Sequence, residues 1–384
     1  MKKCSKKQPI LLVKCMKKNN VKPLLFISIV AFLIIFNIII GFSSQLVFAN
    51  MNVRSGTNDN SAEIVMEVNS KRVLYEKNTS KKMYMASTTK ILTAITIIEN
   101  MDLSKNISVT KKTTGIEGSS IYLEEGEVLS VQDLLYGLML RSGNDCAETL
   151  AIACCGSIEE FSTLMNEKAR KIGAKNSNFV NPHGLHDDNH YTTAYDLALI
   201  SSYAIKNPDF KRIVSTTKTT IPFTTKNTKR VLINKNKMLT NYDGATGIKT
   251  GYTKKAGRCL VTSAQRNGLE LVCVVLNCYD MWEKTSLLLD KSFKNYSYKQ
   301  IINSNEIIDF IKVNNEDKIG VYVKNSLYYP LTNDEENQLI TDIKYTFNKD
   351  VFIKKGSNIG KINIYLKNNL IFSQKIYNII DIKN

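Results

Sequence analysis

Several features are scarce in this chain of 384 residues, and each scarcity excludes a class of protein. The chain contains six prolines and no low-complexity tract, which excludes collagen-like and proline-rich disordered proteins. Hydrophobic residues make up 43% and charged residues 23%, which is the composition of a globular protein. The length is sufficient for two domains with a sizeable core.

Acidic residues are absent from the first 49 positions. Eight lysines instead precede an apolar run over residues 24–42, and a small-residue processing site follows at 47–49. This order predicts an export signal, with everything after Asn50 outside the cytoplasm. The run is close to the ~20 apolar residues that span a bilayer as a helix. Residues 1–49 are therefore predicted to be either a cleaved signal peptide or a retained membrane anchor.

Clustered positive charge is missing from the rest of the chain. The formal net charge is +17, of which the N-terminal lysines carry eight, and the remainder is spread without an Arg-rich block. No basic stretch has aromatic residues interleaved with it, so nucleic acid is not an expected partner. A diffuse basic surface fits an anionic setting such as a bacterial wall or lipid headgroups.

The cysteines lack the spacing of a disulfide framework or a zinc ribbon. Six of them follow the apolar run, and most lie in apolar context, so we predict that they are small buried hydrophobic residues. They are Cys146, Cys154, Cys155, Cys259, Cys273 and Cys278. No cysteine after the apolar run is placed for lipid attachment, which argues against a lipoprotein.

The spacing of apolar residues predicts strands at both ends of a first domain, with helices between them. Alternation over residues 62–75, with Asn69-Ser70 as a turn, predicts two strands. Helical spacing predicts helices at 87–99, 131–141, 144–154, 158–172, 193–206 and 282–294. Further strands are predicted at 257–264 and 269–278. This order predicts a sheet whose first and last strands come from opposite ends of the domain.

After Tyr298 the pattern changes to short β-prone segments, and Asn368-Asn369 is predicted to form a hairpin turn. The predicted strands are 306–313, 318–323, 338–346, 351–354, 361–366 and 370–377. We therefore predict a first domain over 50–298 and a separate all-β domain over 299–384, in which no titratable cluster suggests chemistry.

The first of three short motifs is Ser87-Thr88-Thr89-Lys90, at the start of a predicted helix. A serine and a lysine three positions apart on a helix share one face. Lys90 can then take the proton of Ser87, provided that burial and nearby cations lower the pKa of the amine. On its own this spacing is common, and a helix-capping role for Ser87 would be preferred.

The second motif is Ser142-Gly143-Asn144, between two predicted helices. Its hydroxyl can relay a proton and its amide can hold a carbonyl, but a capping turn explains the same residues. The third is Lys249-Thr250-Gly251, at the predicted start of a strand, where lysine offers a cation, threonine a donor and glycine close approach. An extended peptide can bind at the edge of a sheet by adding to it as a further strand.

In this order, the three motifs resemble the S-x-x-K, S-D-N and K-T-G set of penicillin-binding proteins and class A β-lactamases. The sequence resembles the low-molecular-mass penicillin-binding proteins that are D-alanyl-D-alanine carboxypeptidases. The resemblance covers roughly residues 60–298, and the β-rich tail fits the second domain of that family. It is carried by residues 85–90 (MASTTK), 140–145 (LRSGND), 181–185 (NPHGL), 193–197 (TAYDL) and 247–252 (GIKTGY).

The resemblance implies an α/β (α+β) fold: a transpeptidase domain of the penicillin-binding and β-lactamase type with a helical subdomain, followed by a small all-β domain. It implies a serine enzyme without cofactor or metal. The implied substrate is a peptidoglycan stem peptide ending in D-Ala-D-Ala, and β-lactams are implied as acylating inhibitors. The family often has a C-terminal amphipathic helix, for which residues 376–384 are too short. Membrane attachment is therefore expected only through an uncleaved N-terminal segment.

The resemblance also implies a role for each motif residue. Ser87 is the nucleophile and Lys90 its base, and the other polar groups complete the proton and charge network, the carboxylate site and the oxyanion hole. These are Ser142, Asn144, Lys249, Thr250, Gly251 and the backbone N–H groups of Ser87 and Tyr252. One departure is Tyr84-Met85, since the family often has a proline shortly before the nucleophile.

Several alternatives remain open. All three histidines, His183, His186 and His190, fall within eight residues, which suggests zinc, but their window is loop-like and lacks a helical H-E-x-x-H arrangement. A β-lactamase would need an added glutamate for deacylation, and no such segment follows Asn144. A transpeptidase or endopeptidase would use the same acyl-enzyme. A non-catalytic wall-binding protein would be expected to have lost a motif.

Overall fold

The computed structural model describes residues 60–304, 306–312, 318–347 and 351–382. The predicted signal or anchor at residues 1–49 lies outside these residues. Within them, no helix is both long enough and apolar enough to cross a bilayer.

The described strands and helices follow the chain in this order. The strands are β1 (Ala62–Glu67), β2 (Val73–Lys77), β3 (Asn106–Ser108), β4 (Val128–Ser130), β5 (Lys218–Phe223), β6 (Thr228–Ile233), β7 (Ala245–Thr253), β8 (Gly257–Arg266), β9 (Leu269–Leu276), β10 (Ser297–Ile302), β11 (Asp309–Lys312), β12 (Lys318–Val323), β13 (Leu327–Leu331), β14 (Leu339–Tyr345), β15 (Asn358–Leu366) and β16 (Asn369–Asn378). The helices are α1 (Lys90–Asn100), α2 (Val131–Leu140), α3 (Asn144–Cys155), α4 (Ile158–Ile172), α5 (Ala194–Ala204), α6 (Pro208–Ser215), α7 (Met238–Asn241), α8 (Met281–Asn295) and α9 (Asn333–Glu336).

The first domain is built on a five-stranded antiparallel sheet in the order β2-β1-β9-β8-β7. The first two strands of the chain thus join the last three strands of the domain, as the sequence predicts. Strand β9 is buried on both faces because its side chains alternate: Val272 and Val274 pack into the core that contains α1, whereas Cys273 and Val275 pack toward α8. The sheet is therefore sandwiched between helical layers, and β7 lies at its edge.

The sequence did not predict α6 or the β5–β6 hairpin. Helix α6 begins after Asn207, whose side chain accepts hydrogen bonds from two backbone N–H groups, with Pro208 at the first helical position. The hairpin strands are mostly polar and exposed, with Ile221 and Leu232 as their buried side chains. A two-stranded hairpin with so few apolar residues gives a weak period-two pattern, which explains why it was missed.

The C-terminal domain contains a five-stranded sheet in the order β11-β12-β16-β15-β14 and a separate β10–β13 pair. The predicted strand at 351–354 is wrong, since Ile353 forms only an isolated bridge with Ile382. The predicted Asn368-Asn369 turn is wrong by one residue. The loop consists of Lys367 and Asn368, which both have positive φ, as a tight two-residue hairpin requires.

Four of the six cysteines after residue 50 are buried, as predicted: Cys146, Cys259, Cys273 and Cys278. Cys154 and Cys155, at the end of α3, are only half-buried. All six are free thiols.

Arg72 joins the first domain to the C-terminal domain. It lies in the β1–β2 turn, and its guanidinium nitrogens contact the Glu335 carboxylate at 2.7 Å and the Pro330 carbonyl oxygen at 2.6 Å. Burial alone would raise the pKa of Glu335, but hydrogen bonds from Arg72, Thr332 and Lys367 lower it to about 2. The Glu335 carboxylate is therefore ionised and paired with Arg72.

Replacing Arg72 with alanine should lower the free energy of unfolding by about 3 kcal/mol, because Glu335 would remain buried without its main partner. The effect should be largest near neutral pH and fade as pH falls from about 4.5 toward 2, where the wild-type carboxyl also becomes protonated. Denaturant unfolding as a function of pH measures this. Lys299→Ala, which removes the exposed pair with Glu336, is the control and should cost less than about 1 kcal/mol. Equal losses would contradict a joining role for Arg72.

Candidate active site

Ser87 lies in a short 3-10 turn, Ala86–Thr89, that leads directly into α1. The turn starts at Ala86 with a φ of 48°, which is uncommon for a residue with a side chain. Two hydroxyls hold it in place: Thr88 Oγ1 donates to the Met85 carbonyl at 2.6 Å and Thr89 Oγ1 donates to the Ala86 carbonyl at 2.8 Å. Ser87 is thereby presented at the N-terminal end of the helix.

Lys90 is completely buried beneath Ser87, at 0% exposure. Its Nζ lies 3.2 Å from Ser87 Oγ, 2.7 Å from Asn144 Oδ1 and 2.7 Å from the His183 carbonyl oxygen. Burial, reinforced by the positive charge of Lys249, lowers the pKa of Lys90 well below the usual value of a lysine. The amine is therefore poised to act as a base.

The His183 carbonyl is held by a tight loop. The Asn181 side chain accepts from the backbone N–H groups of His183 and Gly184, and His183 Nδ1 accepts from the N–H of Leu185. His183 Nε2 must then carry the proton, which it directs at Glu148 Oε1, 3.2 Å away. Burial lowers the pKa of His183, which favours the neutral ring that this hydrogen-bond pattern requires.

Gly184 brings this loop against the turn that carries Ser87. It has a φ of 87°, and a Cβ at this position would lie 1.9 Å from the Ala86 carbonyl oxygen. Such close approach is possible only for glycine. The loop that holds Lys90 and the turn that holds Ser87 are thus in direct contact.

His190 fixes the other side of the turn. Its Nδ1 accepts from the N–H of Val180 at 3.1 Å, and its Nε2 lies 2.8 Å from Thr89 Oγ1. Burial is the main reason that the pKa of His190 is lowered to about 3. Both rings, His183 and His190, therefore use their two nitrogens within the protein. Among the described residues, no group of three or more His, Cys, Asp or Glu side chains could hold a metal ion.

Asn144 links Lys90 to the loop above the site. Besides accepting from Lys90, it donates through Nδ2 to the Glu117 carbonyl at 2.6 Å. The next residue, Asp145, is fully buried and accepts from the N–H groups of Ile121 and Leu123. The start of α3 thus supports both the lysine and the wall of the site.

Ser142 lies two residues before Asn144 and is 4% exposed, with a φ of 66°. Its hydroxyl makes no hydrogen bond to any other part of the chain that the structure describes. The structure therefore brings Ser87, Lys90 and Asn144 into one hydrogen-bonded group but does not tie Ser142 into it.

The third motif lies in the middle of β7, not at its start as the sequence predicted. A Cβ on Gly251 would lie 3.0 Å from the backbone nitrogen of Ser87, so the strand passes directly beside the turn that carries Ser87. Because β7 is an edge strand, one side of it is free to pair with an extended ligand. Thr250 is half-buried here, and the Tyr252 side chain is 65% exposed.

Lys249 is buried, and its Nζ donates to the Thr250 carbonyl at 2.9 Å. Burial, with the nearby charge of Lys235, lowers the pKa of Lys249 to about 7. Lys235 itself donates to Ser119 Oγ at 3.1 Å. The site thus concentrates lysines, and it is suited to a ligand that carries a carboxylate.

The low pKa of Lys249 predicts that substrate capture weakens at alkaline pH. The protonated amine attracts a carboxylate below about pH 7, and this attraction is lost as pH rises through that value. We expect kcat/KM for a peptide with a free terminal carboxylate to fall above about pH 7, and Lys249→Gln to lack this descending limb. A limb that persists unchanged in Lys249→Gln would contradict the assignment.

Sequence reasoning missed several residues that shape this site. They are Glu148, Asp145, Lys235 and the residues that position the His183 carbonyl. Asp145 and His183 lie inside sequence blocks that were singled out, but their partners are distant in sequence. The neighbouring sequence gave no reason to select Glu148 or Lys235, because charged residues are common on helices and in loops.

Comparisons with known proteins match both parts of the chain. A family model described as D-alanyl-D-alanine carboxypeptidase matches residues 50–280, and one described as the C-terminal domain of penicillin-binding protein 5 matches residues 296–384. The chain is 30% identical to D-alanyl-D-alanine carboxypeptidase DacF of Bacillus subtilis over 294 residues, which are 71% of this chain and 73% of the relative. It is 31% identical to DacB2 of Mycobacterium tuberculosis over 53% of this chain and 72% of that protein.

Solved structures resemble the fold over most of the chain. Penicillin-binding protein 5 of Haemophilus influenzae is 26% identical, with a TM-score of 0.70 over 84% of this chain and 97% of that one. A mutant of the Streptomyces K15 DD-transpeptidase is 28% identical, with a TM-score of 0.58 over 61% of this chain and 97% of that one.

Proposed function

This chain belongs to the D-alanyl-D-alanine carboxypeptidase family of serine peptidases, and we propose from that membership and its site that it trims peptidoglycan stem peptides. The reaction removes the terminal D-alanine from a peptide ending in D-Ala-D-Ala, through an acyl-enzyme on Ser87. β-Lactams, which resemble that end of the substrate, acylate the same serine.

The observation that carries the proposal is the hydrogen bonding of Lys90. Its two fixed neighbours, Asn144 Oδ1 and the His183 carbonyl oxygen, can only accept hydrogen bonds. A neutral amine donates its two N–H groups to them, which leaves the lone pair facing Ser87 Oγ at 3.2 Å. Lys90 in this state takes the serine proton as the hydroxyl attacks.

The substrate binds as an added strand beside β7. The terminal carboxylate lies at Thr250, attracted by Lys249, and the scissile carbonyl lies over Ser87. The backbone N–H groups of Ser87 and Tyr252 stabilise the oxyanion, and Gly251 allows the close approach between strand and turn that this requires. Ser142, whose hydroxyl is otherwise unengaged within the described chain, relays to the departing D-alanine amine the proton that Lys90 took from Ser87. Water then hydrolyses the acyl-enzyme and frees Ser87.

The two-domain division follows from the same observations. We propose a catalytic domain over residues 50–298 and a C-terminal β domain over 299–384. The two five-stranded sheets and the two family matches are separate, and the first strand of the C-terminal domain, β10, begins two residues before this boundary, at Ser297. We also propose that the protein works outside the cytoplasm, at the cell wall, where its substrate is found. Residues 1–49 would direct export and, if retained, hold it at the membrane.

D-Alanine release from a muramyl pentapeptide tests the proposed activity. The wild-type protein should release one D-alanine per peptide, and Asn144→Ala should release it far more slowly because Lys90 loses a hydrogen-bond partner. Transfer of the acyl group to an added amine, without D-alanine release in water, would point to a transpeptidase instead. An inactive but folded wild-type protein would overturn the proposal.

A further inference from the structure

A basic groove lies beside the nucleophile's turn, on the side where β7 leaves the site. Its volume is about 540 Å³. The side chains that define it are Lys81, Lys82, Tyr84, Asp188, Tyr191 and Lys255. None of these residues has a role in the reaction described above.

Two connections place the groove next to Ser87. Tyr84 precedes Ser87 by three residues, and Lys255 follows Gly251 by four. Gly251 itself lies against the backbone nitrogen of Ser87, and the Tyr84 carbonyl oxygen lies 3.9 Å from the sulfur of Cys259, the β8 partner of Gly251. The groove thus opens between the chain entering the nucleophile's turn and the chain leaving β7.

The direction of the bound substrate determines which part of it reaches the groove. With the terminal carboxylate at Thr250 and the oxyanion at the Tyr252 N–H, the acyl-donor arm runs from Ser87 toward Thr253 and Lys255. An extended peptide advances about 3.3 Å per residue. A residue two or three positions before the scissile bond therefore comes within reach of the groove.

The groove carries uncompensated positive charge. Among the described residues, Lys81, Lys82 and Lys255 have no carboxylate within ion-pair distance. The one carboxylate in the groove, Asp188, is already paired, since it accepts from Tyr84 OH at 3.0 Å and lies 3.4 Å from His186 Nε2.

Tyr84 and Tyr191 form part of the groove wall. Lys82 Nζ lies 4.2 Å from the ring centroid of Tyr191, so the ring supports this cation from one side. Tyr84 is packed edge-to-face against His186 at 4.7 Å. Lys81 Nζ donates to Asn60 Oδ1 at 3.1 Å, which leaves two further N–H groups on this amine, and Lys82 and Lys255 can likewise donate to an anionic ligand.

We propose that this groove binds a carboxylate on the acyl-donor arm, two or three residues before the scissile bond, and so selects acidic peptides. This inference rests on the proposed function, because it takes the substrate direction from it. The groove contributes to capture of the substrate and not to the bond-breaking step, so its effect falls on KM.

The test compares two peptides with the same D-Ala-D-Ala end, one with a free carboxylate at that upstream position and one with the corresponding amide. The wild-type protein should favour the acid in kcat/KM. In Lys82→Gln/Lys255→Gln the acid-to-amide ratio should fall about 3- to 20-fold, as expected for loss of two solvent-accessible ion pairs. Raising the salt concentration should reduce the wild-type preference in the same direction.

Lys361→Gln/Lys375→Gln is the matched control. It removes the same charge from an exposed lysine pair on the C-terminal sheet and should leave the ratio unchanged. A wild-type ratio near one, or an unchanged ratio in Lys82→Gln/Lys255→Gln, would overturn the groove proposal. Absence of D-alanine release from both peptides would instead overturn the proposed function.

Discussion

Replacing Lys90 with methionine should reduce both D-alanine release and acylation by penicillin by about 10³-fold or more. Methionine fills nearly the same buried volume but provides no lone pair to take the proton of Ser87, which lies 3.2 Å from the lysine nitrogen. A serine hydroxyl without a base is a poor nucleophile. The variant should remain folded, because an apolar side chain is inexpensive to bury, although two carbonyl acceptors lose their donor.

Stopped-flow acylation with a fluorescent penicillin measures this effect directly. Lys71→Met is the control, since Lys71 is also partly buried and has a pKa lowered to about 8, chiefly by burial, but lies in the β1–β2 turn. It should acylate at the wild-type rate. Acylation of Lys90→Met at a comparable rate would show that another group removes the serine proton.

Replacing Gly184 with alanine should lower the free energy of unfolding by at least about 3 kcal/mol and also slow acylation. The added Cβ would lie 1.9 Å from the Ala86 carbonyl oxygen, which is backbone and cannot move without shifting the turn that carries Ser87. The positive φ of 87° adds strain of its own. The His183 carbonyl would then move away from Lys90.

Gly115→Ala separates the steric clash of the added Cβ from the strain that a positive φ imposes on alanine. Gly115 has a similar φ of 72°, but nothing lies within 4 Å of the Cβ position. It should lose only about 1 kcal/mol, from backbone conformation alone, and should acylate normally. Denaturant unfolding and acylation rates of both variants measure the difference. Equal behaviour of the two variants would contradict a tight contact between the 181–185 loop and the turn that carries Ser87.

The sequence predicted the main architecture because its strands and helices have clear apolar periods. The helices near 131–141 and 158–172 were predicted within a residue or two of their bounds, and a sheet shared by strands from both ends of the domain followed from the order of the elements. The hairpin at 218–233 was not predicted from the sequence because it buries little apolar surface. Strand β13 was not predicted because its Pro330 disfavours a strand assignment.

The site was predictable where its residues are close in sequence and not where they meet through folding. Ser87 and Lys90 share one turn, so their contact follows from spacing. The contact of Lys90 with the His183 carbonyl joins residues 93 positions apart and involves a backbone atom, which no side-chain pattern reveals. The depressed pKa of Lys249 likewise depends on burial beside Lys235, a tertiary feature.

The measurement that tests the central claim most directly is the location of the covalent penicillin adduct. The protein is incubated with benzylpenicillin, digested, and analysed by peptide mass spectrometry beside the Ser87→Ala variant. We expect one adduct, on the peptide containing Ser87, and none in the variant. An adduct on Ser142 or on any other residue, or an adduct that persists in Ser87→Ala, would contradict the assignment of Ser87 as the nucleophile.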